Sequence, residues 1–324
     1  MVHGQSIKWF HYINLIIRRM FGPGDSVARY VNFLFHFTTL CSGVWYKIPW
    51  IMIVGRFFFG VGCESLGVAM NAVLTHAFDG KEIAFALALN VSFARLGTIS
   101  NDWISPVISS SSGIPSVFAF GLFLSLISAV SAKKLCVILS TSTLQAIASP
   151  AFPNQSFKTP SYLFWAVAAI CVGGYSSILP FTSVFVAMKP KSLSQQEASQ
   201  VVSISFVISA IFTPAIGRLV DRFGRAAWIT ASSLFLLCLT HAMFSSYHHS
   251  LVMVILGLSY SGFVASIWPL VPLTVEEENV GFAYGIMTAL QNMGLTVVPL
   301  IVCSWMLHRI YLVGSDDQAS NRLL

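Results

Sequence analysis

The sequence predicts an all-α, polytopic membrane protein built from two helical half-bundles, with about 9–10 transmembrane helices. Composition is the first reason: 56% of the 324 residues are hydrophobic, only 9% are charged, and the mean hydropathy is +0.76. Soluble domains carry roughly 25% charged residues. A chain this apolar cannot cover its own surface with polar groups, so we expect most of it to face lipid.

The lengths of the apolar runs are the second reason. A helix needs about 20 apolar residues to span a bilayer. A short, partial run at 7–17 comes first in the chain, followed by a plausible span at 27–44. Eight stronger runs follow, at 50–77, 83–104, 117–137, 162–188, 198–220, 228–244, 251–275 and 281–307.

The third reason is one long polar interruption, at residues 140–160, which separates five runs from five others. We therefore expect a partial N-terminal half-bundle at 1–139, a cytoplasmic linker at 140–160 and a C-terminal half-bundle at 161–324. Lys and Arg are in excess on the side of the loop that holds Arg222 and Arg225, so the positive-inside rule puts this loop in the cytoplasm.

Composition also excludes several kinds of function. The net charge of +6 comes from basic residues spread along the chain, so we expect no nucleic-acid partner. The cysteines form no CxxC pair and the histidines show no metal-binding spacing, so we expect neither a metal nor a cofactor. No pairing of nucleophile and base and no Walker A loop indicates an enzyme.

Three charged residues lie away from the ends of the apolar runs: Arg56, Glu64 and Arg95. A charge at mid-membrane costs roughly 2.5–3.5 kcal/mol by insertion scales, so such residues are functional candidates. Glu64 and Arg95 both lie about 20 Å from the loop that joins their helices, which puts opposite charges at one depth. We expect Glu64 to bind the amine of a zwitterionic substrate and Arg95 to bind its carboxylate. A buried ion pair is the structural alternative, and snorkelling to the interface is the alternative for Arg56.

Polar and aromatic side chains inside the last two runs are further candidates: Tyr260, Trp268, Gln291 and Asn292. We expect them to line the substrate site from the other half-bundle. Hydrogen bonding between helices, or packing in the core, is the alternative.

The loop after the run 198–220 carries a specific motif. Residues 217–225 read Gly-Arg-Leu-Val-Asp-Arg-Phe-Gly-Arg and fit G-x-L-x-D-R-x-G-R. In this motif the chain resembles the major facilitator superfamily, whose cytoplasmic loops carry it. The candidate gating residues are Gly217, Asp221, Arg222, Gly224 and Arg225. We expect Asp221 to face the N-terminus of a neighbouring helix, and the two arginines to reach acidic groups and helix C-termini. A random basic loop is the alternative.

Several other stretches resemble the lysosomal dipeptide transporters of this superfamily: 55–66, 80–82, 94–97, 256–261, 268–269, 283–285 and 291–292. The resemblance implies a uniporter in the lysosomal membrane that moves dipeptides from lumen to cytosol by rocker-switch alternating access. It implies that Glu64 and Arg95 bind the substrate termini, and that a glycosylated accessory membrane protein of the lysosome is a partner. Such transporters have two six-helix halves, so it also implies that helices at both ends of the set are missing here.

Two other functions stay open. One is carriage of another organic solute, with proton coupling through Glu64. The other is a truncated, non-transporting isoform that acts by binding a partner.

Cys63 and Gly174 depart from the family pattern, which has a glycine and an aromatic residue at these positions.

Overall fold

The computed structural model describes residues 46–78, 82–139, 161–187, 195–243 and 249–320, and their regular secondary structure is entirely helical. These ranges contain eight α-helices: α1 Pro49–Ala77, α2 Ile83–Ser112, α3 Ile114–Leu139, α4 Tyr162–Ala187, α5 Gln195–Phe223, α6 Ala226–Met243, α7 His249–Leu270 and α8 Val280–Ser320. Two short 3-10 turns, Pro272–Thr274 and Glu277–Asn279, connect α7 to α8.

Six of these helices are long and apolar enough to cross a membrane: α1, α2, α5, α6, α7 and α8. Shorter apolar stretches lie in α3, at Ile114–Ser128, and in α4, at Tyr162–Ile178. The predicted class, an all-α multi-pass membrane protein, is therefore confirmed. The predicted runs 7–17 and 27–44 and the linker 140–160 lie outside the described residues, and the division into half-bundles stays a prediction.

The end of α2 differs from the sequence prediction. The apolar run was expected to end at residue 104, but the helix continues to Ser112, with Pro106 inside it. Serine hydroxyls in this last part form hydrogen bonds with the helix backbone. Ser110 and Ser111, for example, donate to carbonyls three residues earlier. These serines are therefore compatible with a helix that continues beyond residue 104. Asp102, which the predicted run placed at the end of a span, consequently lies ten residues before the end of the helix and becomes a fourth charge away from the span ends.

The helices after residue 249 also differ in length from the predicted runs. α7 finishes at Leu270 rather than at residue 275, because a 3-10 turn that begins with Pro272 replaces its last residues. α8 continues past the predicted end at residue 307 to Ser320.

Contacts between residues divide the described chain into two compact units. One contains residues 46–67 and 104–139, and therefore includes the first part of α1, the end of α2 and all of α3. The other contains residues 68–103 and 161–320. Both α1 and α2 thus contribute to both units.

Helix α7 is the centre of the second unit, and every residue from Ser259 to Pro269 is buried. Small residues allow this close packing. A Cβ added at Gly257 would lie only 2.7 Å from the Ser205 carbonyl oxygen of α5. Against another neighbouring helix, α6, the Ser266 hydroxyl of α7 forms a 2.7 Å hydrogen bond with the Thr230 hydroxyl.

Large apolar side chains are exposed on the first unit, among them Trp50, Phe57 and Phe123. Exposed apolar surface of this extent is typical of a protein whose surroundings are lipid rather than water.

Candidate functional site

Arg95 lies on α2, 12 residues after its first residue Ile83, or about 18 Å into the span. Its guanidinium carbon lies 4.6 Å from the ring centre of Tyr260 on α7 and 5.5 Å from that of Phe206 on α5. Its Nε is buried and has no hydrogen-bond partner among the described residues. The cation is therefore held by the faces of two aromatic rings, with a donor left unused.

A network of aromatic residues continues from Tyr260. The ring of Tyr175 on α4 meets the Tyr260 ring edge-on, with the ring centres 6.1 Å apart. The Trp268 indole N–H donates to the Tyr175 hydroxyl at 2.8 Å. The Tyr284 hydroxyl of α8 lies 3.4 Å from the Trp268 carbonyl oxygen and forms a 3.0 Å hydrogen bond with the Thr75 hydroxyl of α1. The structure thus brings together three of the predicted residues, Arg95, Tyr260 and Trp268.

The other predicted binding residues lie on α1 and α8. Gln291 and Asn292 are half-buried on α8. The Gln291 Oε1 is buried without a hydrogen-bond partner, whereas the Asn292 carbonyl accepts a bond from Thr296 of its own helix. Arg56 and Glu64 are exposed on α1, in the first unit. The pairing of Glu64 with Arg95 stays a prediction.

Sequence reasoning missed several residues that surround the predicted ones. Tyr175, Phe206 and Tyr284 supply rings to the network around Arg95. Asp102 accepts a 2.9 Å hydrogen bond from the Ser203 hydroxyl of α5. The spacing of Arg95 and Asp102, seven residues or two helical turns, puts both on the face of α2 that meets α5. A charge two turns from a known candidate was a signal that could have identified Asp102.

The loop motif provides a second polar contact, which joins α5 to α2. The two carboxylate oxygens of Asp221 accept the backbone N–H groups of Ala84, at 2.9 Å, and Phe85, at 2.8 Å. These are the second and third residues of α2, whose N–H groups have no partner inside the helix. The expectation that Asp221 faces the N-terminus of a neighbouring helix is confirmed, and we name this the Asp221 contact.

Close approach of the two backbones makes this contact possible. A Cβ added at Gly217 would lie 2.6 Å from the Ala88 Cβ and 2.7 Å from the Ala84 carbonyl oxygen. Only glycine fits at this crossing. Gly224 has a φ of +62° and donates its N–H to the Val220 carbonyl at 2.8 Å, which ends α5 in the left-handed conformation that glycine favours.

The basic residues around the motif remain largely exposed. Arg218 lies 3.8 Å from Glu82 in an ion pair with both side chains more than half exposed, and its guanidinium covers the Phe85 ring. Arg222 and Arg225 are exposed, and the Arg222 guanidinium lies over the Phe223 ring. The roles predicted for these two arginines stay predictions.

Within the described ranges, no three His, Cys, Asp or Glu side chains come together in a way that could hold a metal ion. The polar groups that the structure places near Arg95 are the Tyr260 and Tyr175 hydroxyls, the Trp268 indole N–H and, two turns along α2, the Asp102 carboxylate.

Comparison with known proteins extends these observations. The chain is similar to proteins named lysosomal dipeptide transporter MFSD1. It is 33% identical to that of Bos taurus over 273 residues (78% of this chain, 58% of the relative) and 32% identical to that of Danio rerio over 283 residues (81% and 61%). Identity to the Homo sapiens protein is 32% over 273 residues (78% and 58%). The chain spans about three fifths of the length of these relatives.

The family model described as Major Facilitator Superfamily matches residues 17–299, which is most of the chain. Proteins of this superfamily are carriers rather than enzymes. The helical membrane fold, the loop motif and this match agree: the chain belongs to the Major Facilitator Superfamily.

Proposed function

We propose that this protein is a carrier of the lysosomal membrane that moves dipeptides from the lumen to the cytosol. The observation that carries the proposal is the guanidinium of Arg95, whose Nε is buried and has no acceptor among the described residues. The names of the relatives supply the substrate class and the compartment.

A substrate carboxylate would supply what Arg95 lacks. A cation inside a membrane span costs several kcal/mol unless it is compensated. Contact with aromatic faces provides only about 0.5–2 kcal/mol of this. The buried Tyr260 hydroxyl, beside Arg95, also has no hydrogen-bond partner in the described part of the chain. Two adjacent unused donors match the two oxygens of a carboxylate.

The amine of the substrate is assigned to Glu64, the acidic residue within the span of α1. An anion and a cation together would bind a zwitterion and exclude solutes that carry only one charge. Arg56, Trp268 and Asn292 stay candidates for the remainder of the substrate site.

The Asp221 contact is assigned to the cytoplasmic gate. Rocker-switch exchange requires contacts that form in one state and break in the other. The Asp221 contact joins α2 to α5, which lie on the two sides of the predicted linker, and consists of two bonds that separation of these helices would break together. Gly217 and Gly224 allow its geometry, and Arg222 and Arg225 would bind to groups near the gate. Transport by uniport, and a glycosylated accessory membrane protein as partner, belong to the same proposal.

Uptake of a labelled dipeptide into proteoliposomes that contain the full chain tests the proposal. We expect Arg95→Gln to reduce uptake at least about 30-fold, because removing one partner of a buried charged pair costs roughly 2–5 kcal/mol. A competing dipeptide whose C-terminal carboxylate is replaced by an amide should have an affinity for wild type that is reduced by a comparable factor. In Arg95→Gln, the amide should bind almost as well as the unmodified dipeptide, because the variant and the amide remove the same interaction.

Arg218→Gln is the matched control for the carboxylate contact, because it removes an exposed arginine outside the substrate site, and the amide should lose as much affinity in this variant as in wild type. Additive losses for the amide and the Arg95 variant would contradict the assignment of the carboxylate. Uptake that is indifferent to Glu64→Gln would remove that residue from the site. Accumulation driven by a pH gradient would contradict uniport, and capture of a partner without any dipeptide uptake would contradict the carrier function.

A further inference from the structure

Four buried side-chain atoms in the described part of the chain have no hydrogen-bond partner: Arg95 Nε, the Tyr260 hydroxyl, the Ser176 hydroxyl and Gln291 Oε1. One end of the second unit is the end at which α2 begins and α5 finishes. We name it the Asp221 end. α8 begins and α7 finishes there too, because Tyr284 bonds Thr75 near the end of α1. α4 also begins there, because only seven residues of the sequence join its end to the start of α5, at the opposite end. The four residues lie about 10–14 residues from the Asp221 end of their helices, or about 15–21 Å.

This clustering at one depth, which we call the polar level, is not what membrane helices usually show. Buried polar groups are normally hydrogen-bonded, and each exception needs an explanation. Arg95 and Tyr260 are explained by the proposed carboxylate site. Ser176 and Gln291 are not, and they lie on other helices, α4 and α8.

Ser176 differs from the other buried hydroxyls around it. Ser205, Ser259 and Ser261 each donate to a carbonyl three or four residues earlier in their own helix, which is the usual solution in an apolar environment. The neighbouring residue, Ser177, donates to the Gly174 carbonyl in the same way. The Ser176 hydroxyl is buried yet makes no such bond.

Ser176 also packs against α8, the helix that carries Gln291. A Cβ added at Gly294 of α8 would lie 2.8 Å from the Ser176 hydroxyl, so the serine packs directly against the α8 backbone. Gln291 precedes Gly294 by three residues, which places its side chain on the same face of α8, about one turn away. A hydroxyl and an amide oxygen without partners therefore border the same region between α4 and α8.

This region adjoins the carboxylate site. Tyr175, the residue before Ser176, packs edge-on against the Tyr260 ring, and that ring lies under the Arg95 guanidinium. A solute whose carboxylate reaches Arg95 and Tyr260 therefore extends its next atoms toward Ser176 and Gln291. In a dipeptide, the next polar group after the carboxylate is the peptide bond.

We propose that Gln291 and Ser176 bind the peptide bond of the substrate, Gln291 Oε1 accepting its N–H and the Ser176 hydroxyl donating to its carbonyl. The N–H and the carbonyl of a peptide group point in opposite directions, so an acceptor and a donor on two different helices match them. The inference rests on the proposed function and identifies what selects dipeptides over free amino acids, which have no peptide bond.

Competition between an amide and an ester tests the inference. A depsidipeptide, in which an ester oxygen replaces the peptide N–H, keeps both termini and the carbonyl but leaves Gln291 Oε1 without a donor. We measure how well each compound competes with uptake of a labelled dipeptide into proteoliposomes that contain the full chain. Wild type should prefer the amide by about tenfold, since leaving a buried acceptor unpaired is costly.

Two variants should separate the two contacts. Gln291→Met, similar in size but without the acceptor, should reduce the preference for the amide to about twofold or less, because neither compound is then bonded there. Ser176→Ala should weaken amide and ester by the same factor and keep the preference, since both compounds have the carbonyl. Ser177→Ala is the matched control and should leave both affinities unchanged.

The outcomes distinguish this inference from the function on which it rests. If dipeptides are taken up in an Arg95-dependent manner but the ester competes as well as the amide, the peptide-bond contact is wrong while the dipeptide function stands. If Gln291→Met keeps the wild-type preference, another group accepts the N–H and the inference is overturned. If no dipeptide is taken up at all, the proposed function fails and the inference fails with it.

Discussion

The Asp221 contact and the polar level are both polar regions in the second unit, but their hydrogen-bonding groups are in opposite states. At the Asp221 contact, both carboxylate oxygens have backbone partners at the start of α2. At the polar level, four buried atoms have no partner among the described residues. A buried polar group without a partner costs about 1–3 kcal/mol. Under the proposed function, the first region stabilises the packing of helices, whereas a bound solute completes the second.

This difference can be measured, because substitutions in the two regions should separate stability from substrate affinity. Removing a partnered group should lower the free energy of unfolding. Removing an unpartnered one should leave that free energy unchanged or raise it slightly, and weaken substrate binding instead.

The largest loss of stability is expected from Gly217→Val. The side chain would meet the Ala84 carbonyl and the Ala88 Cβ, so α2 and α5 must separate. Overpacking costs about 1–3 kcal/mol, and loss of the Asp221 bonds adds about 1.5–3 kcal/mol. Equilibrium unfolding of the purified chain in detergent measures the sum. Gly97→Val is the control, because an added Cβ there has no heavy atom within 4 Å. Equal stability of the two variants would show that the close crossing is not required.

A smaller loss is expected from Asp221→Asn, which keeps one acceptor and removes the charge. The free energy of unfolding should fall by about 1.5–3 kcal/mol, because hydrogen bonds to a charged group and the anion at a helix N-terminus are both lost. Glu82→Gln removes an acidic side chain beside the same helix start, but its ion pair with Arg218 is exposed and 3.8 Å long. That control should cost less than about 0.5 kcal/mol. A loss in Glu82→Gln as large as that in Asp221→Asn would contradict a specific role for the Asp221 contact.

The sequence was sufficient to predict the features that depend on composition. The spans of α1, α5 and α6 agree with the apolar runs to within about three residues, because lipid requires long apolar helices. Arg95 was identifiable because a charge within an apolar run is costly. The contact of Asp221 with a helix N-terminus followed from its motif.

Features that depend on which helices meet were not predictable in this way. Nothing local indicates that Phe206 and Tyr260 cover Arg95, because these residues come together only through packing of three helices. Ser176 was missed because a serine in a membrane helix usually bonds its own backbone, and its exception is visible only in the structure. Asp102 was missed because the polar residues that follow it predict an end of the span at residue 104.

The smallest effect, and the sharpest test of the comparison, comes from one chemical change made at two positions. Tyr260→Phe removes a hydroxyl without a partner, whereas Tyr284→Phe removes one that is hydrogen-bonded to Thr75 at 3.0 Å. Tyr260→Phe should leave stability unchanged and raise the KM for dipeptide uptake about fivefold, since about 1 kcal/mol of substrate binding is lost. Tyr284→Phe should lower the free energy of unfolding by about 1 kcal/mol and change KM little. The same response at both positions would mean that the unpartnered hydroxyl at the polar level has no role in binding a solute.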